Sequence, residues 1–103
     1  LAPMARVEFP DGSMLQIADQ LVLGREDFKG LIREEEINLI SRKQMRIFRE
    51  GNIYFVEDGH AGQPSSNGTK LNGQDIAGTG KQPLRDGDTI VVADVLNLVA
   101  HIS

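Results

Sequence analysis

Residues 45–56, Met-Arg-Ile-Phe-Arg-Glu-Gly-Asn-Ile-Tyr-Phe-Val, begin and end in a short apolar run and carry turn residues in the middle. The runs Met45 to Phe48 and Ile53 to Val56 have the length and the β-branched and aromatic bias of strands, and both are too short for a stable helix. Between them Arg49-Glu50-Gly51-Asn52 supplies the residue types of a tight reversal. The segment reads as a β-hairpin. Alternation along a strand puts Met45 and Ile47 on one face, which is taken as the inward one.

The same pattern extends in both directions. Met4 to Phe9 and Met14 to Ile17 flank Pro10-Asp11-Gly12-Ser13 as another hairpin, and Leu21 to Leu23 run into Gly24-Arg25. Glu26 to Glu36 is the longest irregular stretch and ends in three glutamates; it reads as a solvated loop with room for one helical turn. Ile37 to Ile40 is a short strand candidate leading to Ser41-Arg42-Lys43-Gln44. A Gly-, Pro- and Ser-rich loop spans Asp58 to Ser66. Thr69 to Leu71 and Gln74 to Ile76 then pair around Asn72-Gly73, Ala77 to Lys81 form a surface connection, and Ile90 to Val92 and Leu96 to Ile102 close the fold. No long segment keeps a 3.6-residue period. The chain is therefore all-β, a sandwich of two antiparallel sheets with its loops gathered at the sheet ends.

With 103 residues the chain fits one domain, 1–103, large enough to bury a core without covalent staples. Eleven Lys and Arg stand against 15 Asp and Glu, a formal net charge of -4, and no basic stripe marks a nucleic-acid or membrane surface. Absence of cysteine excludes disulfides, thiolate zinc sites and cysteine nucleophiles. The apolar stretch Ile90 to Ile102 is interrupted by Asp94, Asn97 and His101 and is too short to cross a bilayer. Cytoplasm is the expected compartment by elimination. Leu1 in place of an initiating methionine fits a domain cut from a longer multidomain protein. Asn67-Gly68-Thr69 matches the glycosylation acceptor pattern but has no secretory signal beside it, so it is read as coincidental.

Chemistry concentrates at the expected strand ends. Arg25, Ser41, Arg42, Lys43, Ser66, Thr69 and Lys70 form a candidate anion site if folding brings their three loops together. Arginine presents a planar fork of donors that matches phosphate oxygens, and hydroxyls and loop amides satisfy the remaining lone pairs. The alternative is equally physical: surface arginines paired with nearby glutamates, and Asn67-Gly68 and Asn72-Gly73 as plain hairpin turns. The acidic net charge opposes an anion only weakly at contact, because exposed charges are screened beyond about 8 Å.

Gly24-Arg25, Ser41-Arg42, Ser66-Asn67-Gly68-Thr69 with Asn72-Gly73, and Leu84-Arg85-Asp86-Gly87-Asp88-Thr89-Ile90 resemble, in order and residue type, the forkhead-associated (FHA) domain. The resemblance spans nearly the whole chain and implies an FHA/SMAD-like sandwich of about eleven short strands that binds phosphothreonine-containing protein segments and recruits signalling partners. It makes Arg25, Ser41, Arg42 and Ser66 the phosphate contacts and Asn67 the contact to the peptide backbone. Gly68, Thr69, Asn72 and Gly73 would shape the loop, and Asn38, Leu39 and Lys43 would read positions after the phosphothreonine. It implies no cofactor, no metal, no nucleic acid, and a monomeric isolated domain. Asp86-Gly87-Asp88 corresponds to a structural turn.

Two departures from the family stand out. Gln44 occupies a position where the family usually has a buttressing histidine, and glutamine can also donate and accept hydrogen bonds. The Asp58 to Ser66 loop is longer than the compact family version. Both leave open a second reading, a divergent sandwich for phosphate-independent interaction or oligomerisation. A catalytic reading of His60 beside Asp58 lacks a positioned nucleophile, and His101 reads as structural. Gly78-Thr79-Gly80-Lys81 lacks the first glycine and the Ser or Thr of a P-loop, and Asp86-Gly87-Asp88 falls short of a calcium loop.

Overall fold

In the computed structural model, which describes residues 3–103, ten strands build two antiparallel sheets. Leu1 and Ala2, the first two residues of the expected domain span, lie outside the described residues. The strands are β1 (Ala5–Glu8), β2 (Met14–Ile17), β3 (Gln20–Leu23), β4 (Met45–Glu50), β5 (Ile53–Asp58), β6 (Thr69–Leu71), β7 (Gln74–Asp75), β8 (Gln82–Leu84), β9 (Thr89–Val92) and β10 (Leu96–Ile102). One sheet has the order β2-β1-β10-β9-β6-β7 and the other β3-β4-β5-β8. The expected sandwich is present, with the four sequence-read hairpin and closing pairs in place.

Inward residues alternate as the pleat requires. Val7, Met45, Ile47, Val56, Ile90, Val92 and Leu98 have no exposed surface and interdigitate in one core cluster. In the turn before β2, Ser13 donates both its amide and its hydroxyl to the Asp11 carboxylate, which holds that carboxyl below the ordinary aspartate range. At the β6–β7 turn both Asn72 (φ 50°) and Gly73 (φ 84°) occupy the left-handed region, as a two-residue hairpin turn demands.

Three elements differ from the sequence reading. Ile37 to Ile40 is not a strand: Glu34–Leu39 form a 3₁₀ turn, and a first 3₁₀ turn spans Arg25–Phe28. Residues three apart share a side in this geometry, so Ile37 and Ile40 both face the core, and the glutamates of the first turn complement the positive end of the helix. The 26–36 segment is likewise more than a solvated loop. Phe28 is fully buried and meets Phe9 edge to face at 5.9 Å, while Leu31 and Ile32 pack against the core. Strand β8, Gln82-Pro83-Leu84, lies beyond what the sequence signalled, because proline lacks a ladder donor; it is tolerated here because β8 is an edge strand.

The site end of the fold is fixed by a close backbone approach. Gly24 packs so tightly on the Ser41–Arg42 peptide that a Cβ built there would lie 1.7 Å from the Arg42 carbonyl oxygen. Any side chain would force β3 and the 41–44 turn apart. Gly24→Ala is expected to destabilise the domain by about 3 kcal/mol or more. Urea denaturation monitored by circular dichroism checks this, and a midpoint unchanged from the parent would refute the packing argument.

Candidate functional site

Three loops meet at the end of the sandwich where β3, β4 and β6 begin or finish. The first carries Arg25, whose amide donates to the Ser41 carbonyl (3.0 Å) and whose Nε donates to the Ile40 carbonyl (2.9 Å). These bonds fix the start of the guanidinium and leave its two Nη groups without a hydrogen bond among the described residues. The second loop is Ser41 to Gln44. The third runs from Gly59 to Gly68 between β5 and β6.

Gln44 joins the second loop to the third. Its side chain is completely buried, its Oε1 accepts the Ser41 amide (2.9 Å), and its Nε2 donates to the Gly68 carbonyl (2.7 Å) and to Thr69 Oγ1 (3.1 Å). Its backbone donates to Leu23 and accepts from Gly59. One carboxamide thus satisfies groups on both loops, with no ionisable atom in the joint. The glutamine side chain ties the two loops together.

A second, half-buried network closes the third loop. The Asp58 carboxylate accepts the Ser65 amide (3.0 Å), the Ser65 hydroxyl (2.5 Å) and the Thr69 hydroxyl (2.6 Å). Ser65 Oγ in turn accepts the Gly68 amide (2.9 Å). Neither Asp58 nor Ser65 stood among the site residues read from sequence. The only local sign is the serine three residues before Gly68, a spacing at which a hydroxyl can cap a turn amide.

With both networks in place, Ser41 Oγ accepts the Ser66 amide (2.8 Å), leaving its hydroxyl proton available to donate outward. Asn67 Nδ2 donates to the Leu39 carbonyl (2.8 Å), leaving Oδ1 available to accept. Ser66 and Asn67 are exposed. Of the two Asn-Gly steps only Asn72-Gly73 has both residues at positive φ, so Asn67 is not a hairpin-turn residue. Asn72 lies at the other end of β6. Its side chain accepts the Thr89 amide (2.9 Å) and donates to Asp88 (3.0 Å), bracing the Asp86-Gly87-Asp88 turn and not the Ser66 loop.

Lys29, Arg33, Arg46, Arg49, Lys70 and Lys81 all pair with carboxylates. Lys70 is thereby committed to Asp94. Among the described residues five cations have no ion pair: Arg6 on β1 and Arg85 after β8 stand apart, while Arg25, Arg42 and Lys43 stand at the loop end with Ser41, Ser66 and Asn67. The pairing of Arg25 and Arg42 with nearby glutamates, the alternative left open by the sequence, does not occur. Asn38 and Leu39 are exposed on the adjoining 3₁₀ turn and Lys43 is exposed beside Arg42. His60 is half-buried, with Nδ1 enclosed and unpartnered among the described residues, so nothing there orients it as a base.

This arrangement offers an anion unpaired guanidinium groups, an outward hydroxyl and a rigid amide loop. A family model for the FHA domain matches residues 21–93. The chain is also similar to solved structures. The N-terminal FHA domain of S. cerevisiae Rad53p, in complex with a phosphothreonine peptide, is 23% identical with a TM-score of 0.71, covering 97% of this chain and 94% of that one. The FHA domain of an Arabidopsis thaliana hypothetical protein is 25% identical with a TM-score of 0.75, covering 97% and 86%. An engineered FHA with a Myc-pTBD peptide is 25% identical with a TM-score of 0.73, covering 100% and 94%. No curated protein matches the chain significantly.

Replacing Gln44 by leucine removes the partner of the half-buried Ser41 amide and of the Thr69 hydroxyl and unties the third loop. Gln44→Leu is expected to cost about 2 to 3 kcal/mol, and Gln44→His less, because an imidazole keeps one donor and one acceptor. Equilibrium urea denaturation of both variants checks the order, and a leucine variant as stable as the parent would contradict the role given to the carboxamide.

Proposed function

This chain belongs to the FHA domain family, and on that footing we propose that it is a non-catalytic module that binds phosphothreonine-containing protein segments and so recruits signalling partners. The observation that carries the reading is that three of the five unpaired cations, Arg25, Arg42 and Lys43, stand at one loop end with Ser41, Ser66 and Asn67. Arg25 and Arg42 hold the phosphate with the Ser41 and Ser66 hydroxyls, and Asn67 holds the peptide backbone through Oδ1. Gly68 and Thr69 shape the loop through the Gln44 and Asp58 networks. Leu39, Asn38 and Lys43 face neighbouring peptide positions.

A phosphate ester carries about -1.5 to -2 charges at neutral pH, and each hydrogen bond to a charged group contributes roughly 1.5 to 3 kcal/mol. Several such bonds exceed the cost of ordering a short segment here because the protein side is already held in place. Recognition is an equilibrium event, with no bond made or broken. The same reading has the domain acting as a cytoplasmic monomer attached to other domains of a longer protein. Among the described residues no helix is long and apolar enough to cross a membrane.

Fluorescence anisotropy with matched peptides tests the reading. The phosphothreonine peptide should bind, its phosphoserine twin more weakly and its unphosphorylated form not measurably. Arg25→Ala should abolish binding while the thermal unfolding midpoint stays within a few degrees of the parent. Binding of the unphosphorylated peptide that survives Arg25→Ala would replace this function with phosphate-independent association.

A further inference from the structure

Of the two Asn-Gly steps in the chain, Asn67-Gly68 lies beside a hydroxyl and a carboxylate that are hydrogen-bonded in series to its own backbone. We infer that Asn67 is a site of self-catalysed deamidation, in which Ser65 and Asp58 take up the Gly68 amide proton as that amide closes onto the Asn67 carboxamide. The consequence for binding rests on the phosphothreonine reading: an idle domain ages out of its binding form, and a peptide held by Asn67 delays this.

Asparagine loses ammonia readily when glycine follows, because no side chain hinders attack of the next backbone nitrogen on Cγ. Asn38, Asn52 and Asn97 instead precede leucine or isoleucine. At Asn67 the Gly68 nitrogen attacks Cγ, the Cγ–Nδ2 bond breaks and a succinimide ring forms. The amide proton passes to Ser65 Oγ as the hydroxyl proton passes to Asp58, and Nδ2 leaves as ammonia when a proton returns along the same path. Water then opens the ring to aspartate or isoaspartate. Water is consumed and ammonia released, with no other reactant.

The proton route is already assembled. The Gly68 amide donates to Ser65 Oγ (2.9 Å), and the same hydroxyl donates to Asp58 Oδ1 (2.5 Å). The Ser65 amide (3.0 Å) and the Thr69 hydroxyl (2.6 Å) hold the Asp58 carboxylate in place. An amide whose N–H points at a hydroxyl backed by a carboxylate loses its proton along a positioned path and not only to bulk hydroxide. Ser65 and Asp58 are half-buried, while Asn67 is exposed to the water that opens the ring.

Asn72-Gly73 is the internal contrast. The Asn72 carboxamide is held at both ends, by the Thr89 amide (2.9 Å) and by Asp88 (3.0 Å), and among the described residues no side chain accepts the Gly73 amide. Asn67 is held by one bond, Nδ2 to the Leu39 carbonyl (2.8 Å). Turning the carboxamide toward the next amide therefore breaks one bond at Asn67 and two at Asn72. The product does not suit the site. A carboxylate cannot donate to Leu39 and repels a nearby phosphate. Isoaspartate also lengthens the backbone by a methylene, which shifts the Gly68 carbonyl from Gln44 Nε2 (2.7 Å) and from the Ala93 amide (3.0 Å).

Peptide mass mapping of the folded chain during incubation in neutral buffer, beside the same chain unfolded in guanidinium chloride, tests this. Unfolded, Asn67 and Asn72 should convert at similar rates. Folded, Asn67 should convert at least about tenfold faster than Asn72, and Ser65→Ala should slow it at least about tenfold, a modest share of the roughly 10²–10⁴-fold that positioned proton transfer contributes. If the hydroxyl only braced the loop, Ser65→Ala would loosen the turn and speed conversion. A folded Asn67 no faster than Asn72, or a Ser65→Ala variant converting as fast as the parent, overturns the site; if that variant does not fold, the ratio in the parent decides. Fresh and converted domain, separated by charge, are then titrated with a phosphothreonine peptide by anisotropy. The converted form should bind at least about tenfold more weakly, and bound peptide should slow conversion. Equal affinities overturn the consequence for binding. If Asn67 converts as described and even the fresh domain binds no phosphopeptide, the phosphothreonine reading falls together with that consequence and the modification site stands.

Discussion

A single buried carboxamide sets the geometry at the working end of this domain. Gln44 accepts from Ser41 and donates to Gly68 and Thr69, while its own backbone is tied to Leu23 and Gly59. Four chain segments that are distant in sequence are therefore held in one register by one residue. Leaving any of these buried polar groups unpaired would cost roughly 1 to 3 kcal/mol, so the loops gain little by separating. The Asp58, Ser65 and Thr69 network does for the interior of the third loop what Gln44 does between loops. The loop donors are thus in position before any ligand arrives, as the proposed phosphate site requires.

Electrostatics at this end run against the molecule as a whole. The net charge of -4 describes a surface on which six of the 11 basic residues are neutralised by local partners. On the four-stranded sheet, Arg46 lies 3.8 Å from the Phe48 ring centroid while paired to Glu57, and Lys81 sits above Phe55 while paired to Glu50. Those cations stabilise the outer face of the sheet. Arg25, Arg42 and Lys43 differ in making no ion pair, and Arg25 Nε is held by the Ile40 carbonyl, so local charge and not net charge bears on what these loops attract.

Much of this was legible in the sequence. Each hairpin with a clear turn, such as Pro10-Asp11-Gly12-Ser13 or Asn72-Gly73, was readable because the turn chemistry and the alternation of apolar residues point the same way. Ile37 to Ile40 misled because a short apolar run carries no period of its own, and the 3₁₀ turn is imposed by packing of Ile37 and Ile40 on the core. Strand β8 was hidden by Pro83, and Phe28 by the charged residues around it. At the site, the side chains expected to meet were legible from the order of motifs. Of the residues that hold them, Ser65 left only its three-residue spacing from Gly68, and Asp58 left no sign, since its partners lie seven and 11 residues further on.

The central claim is that three loops, joined through Gln44, form one preassembled site for phosphate. Two-dimensional NMR of the labelled domain, titrated with a phosphothreonine peptide and its unphosphorylated twin, tests it most directly. The account expects amide shifts clustered at Arg25, Ser41, Arg42, Ser66, Asn67 and Gly68 with the phosphorylated peptide only, and Gln44 side-chain resonances that stay in place. Shifts centred elsewhere on the sandwich, or the same shifts with the unphosphorylated peptide, would contradict it.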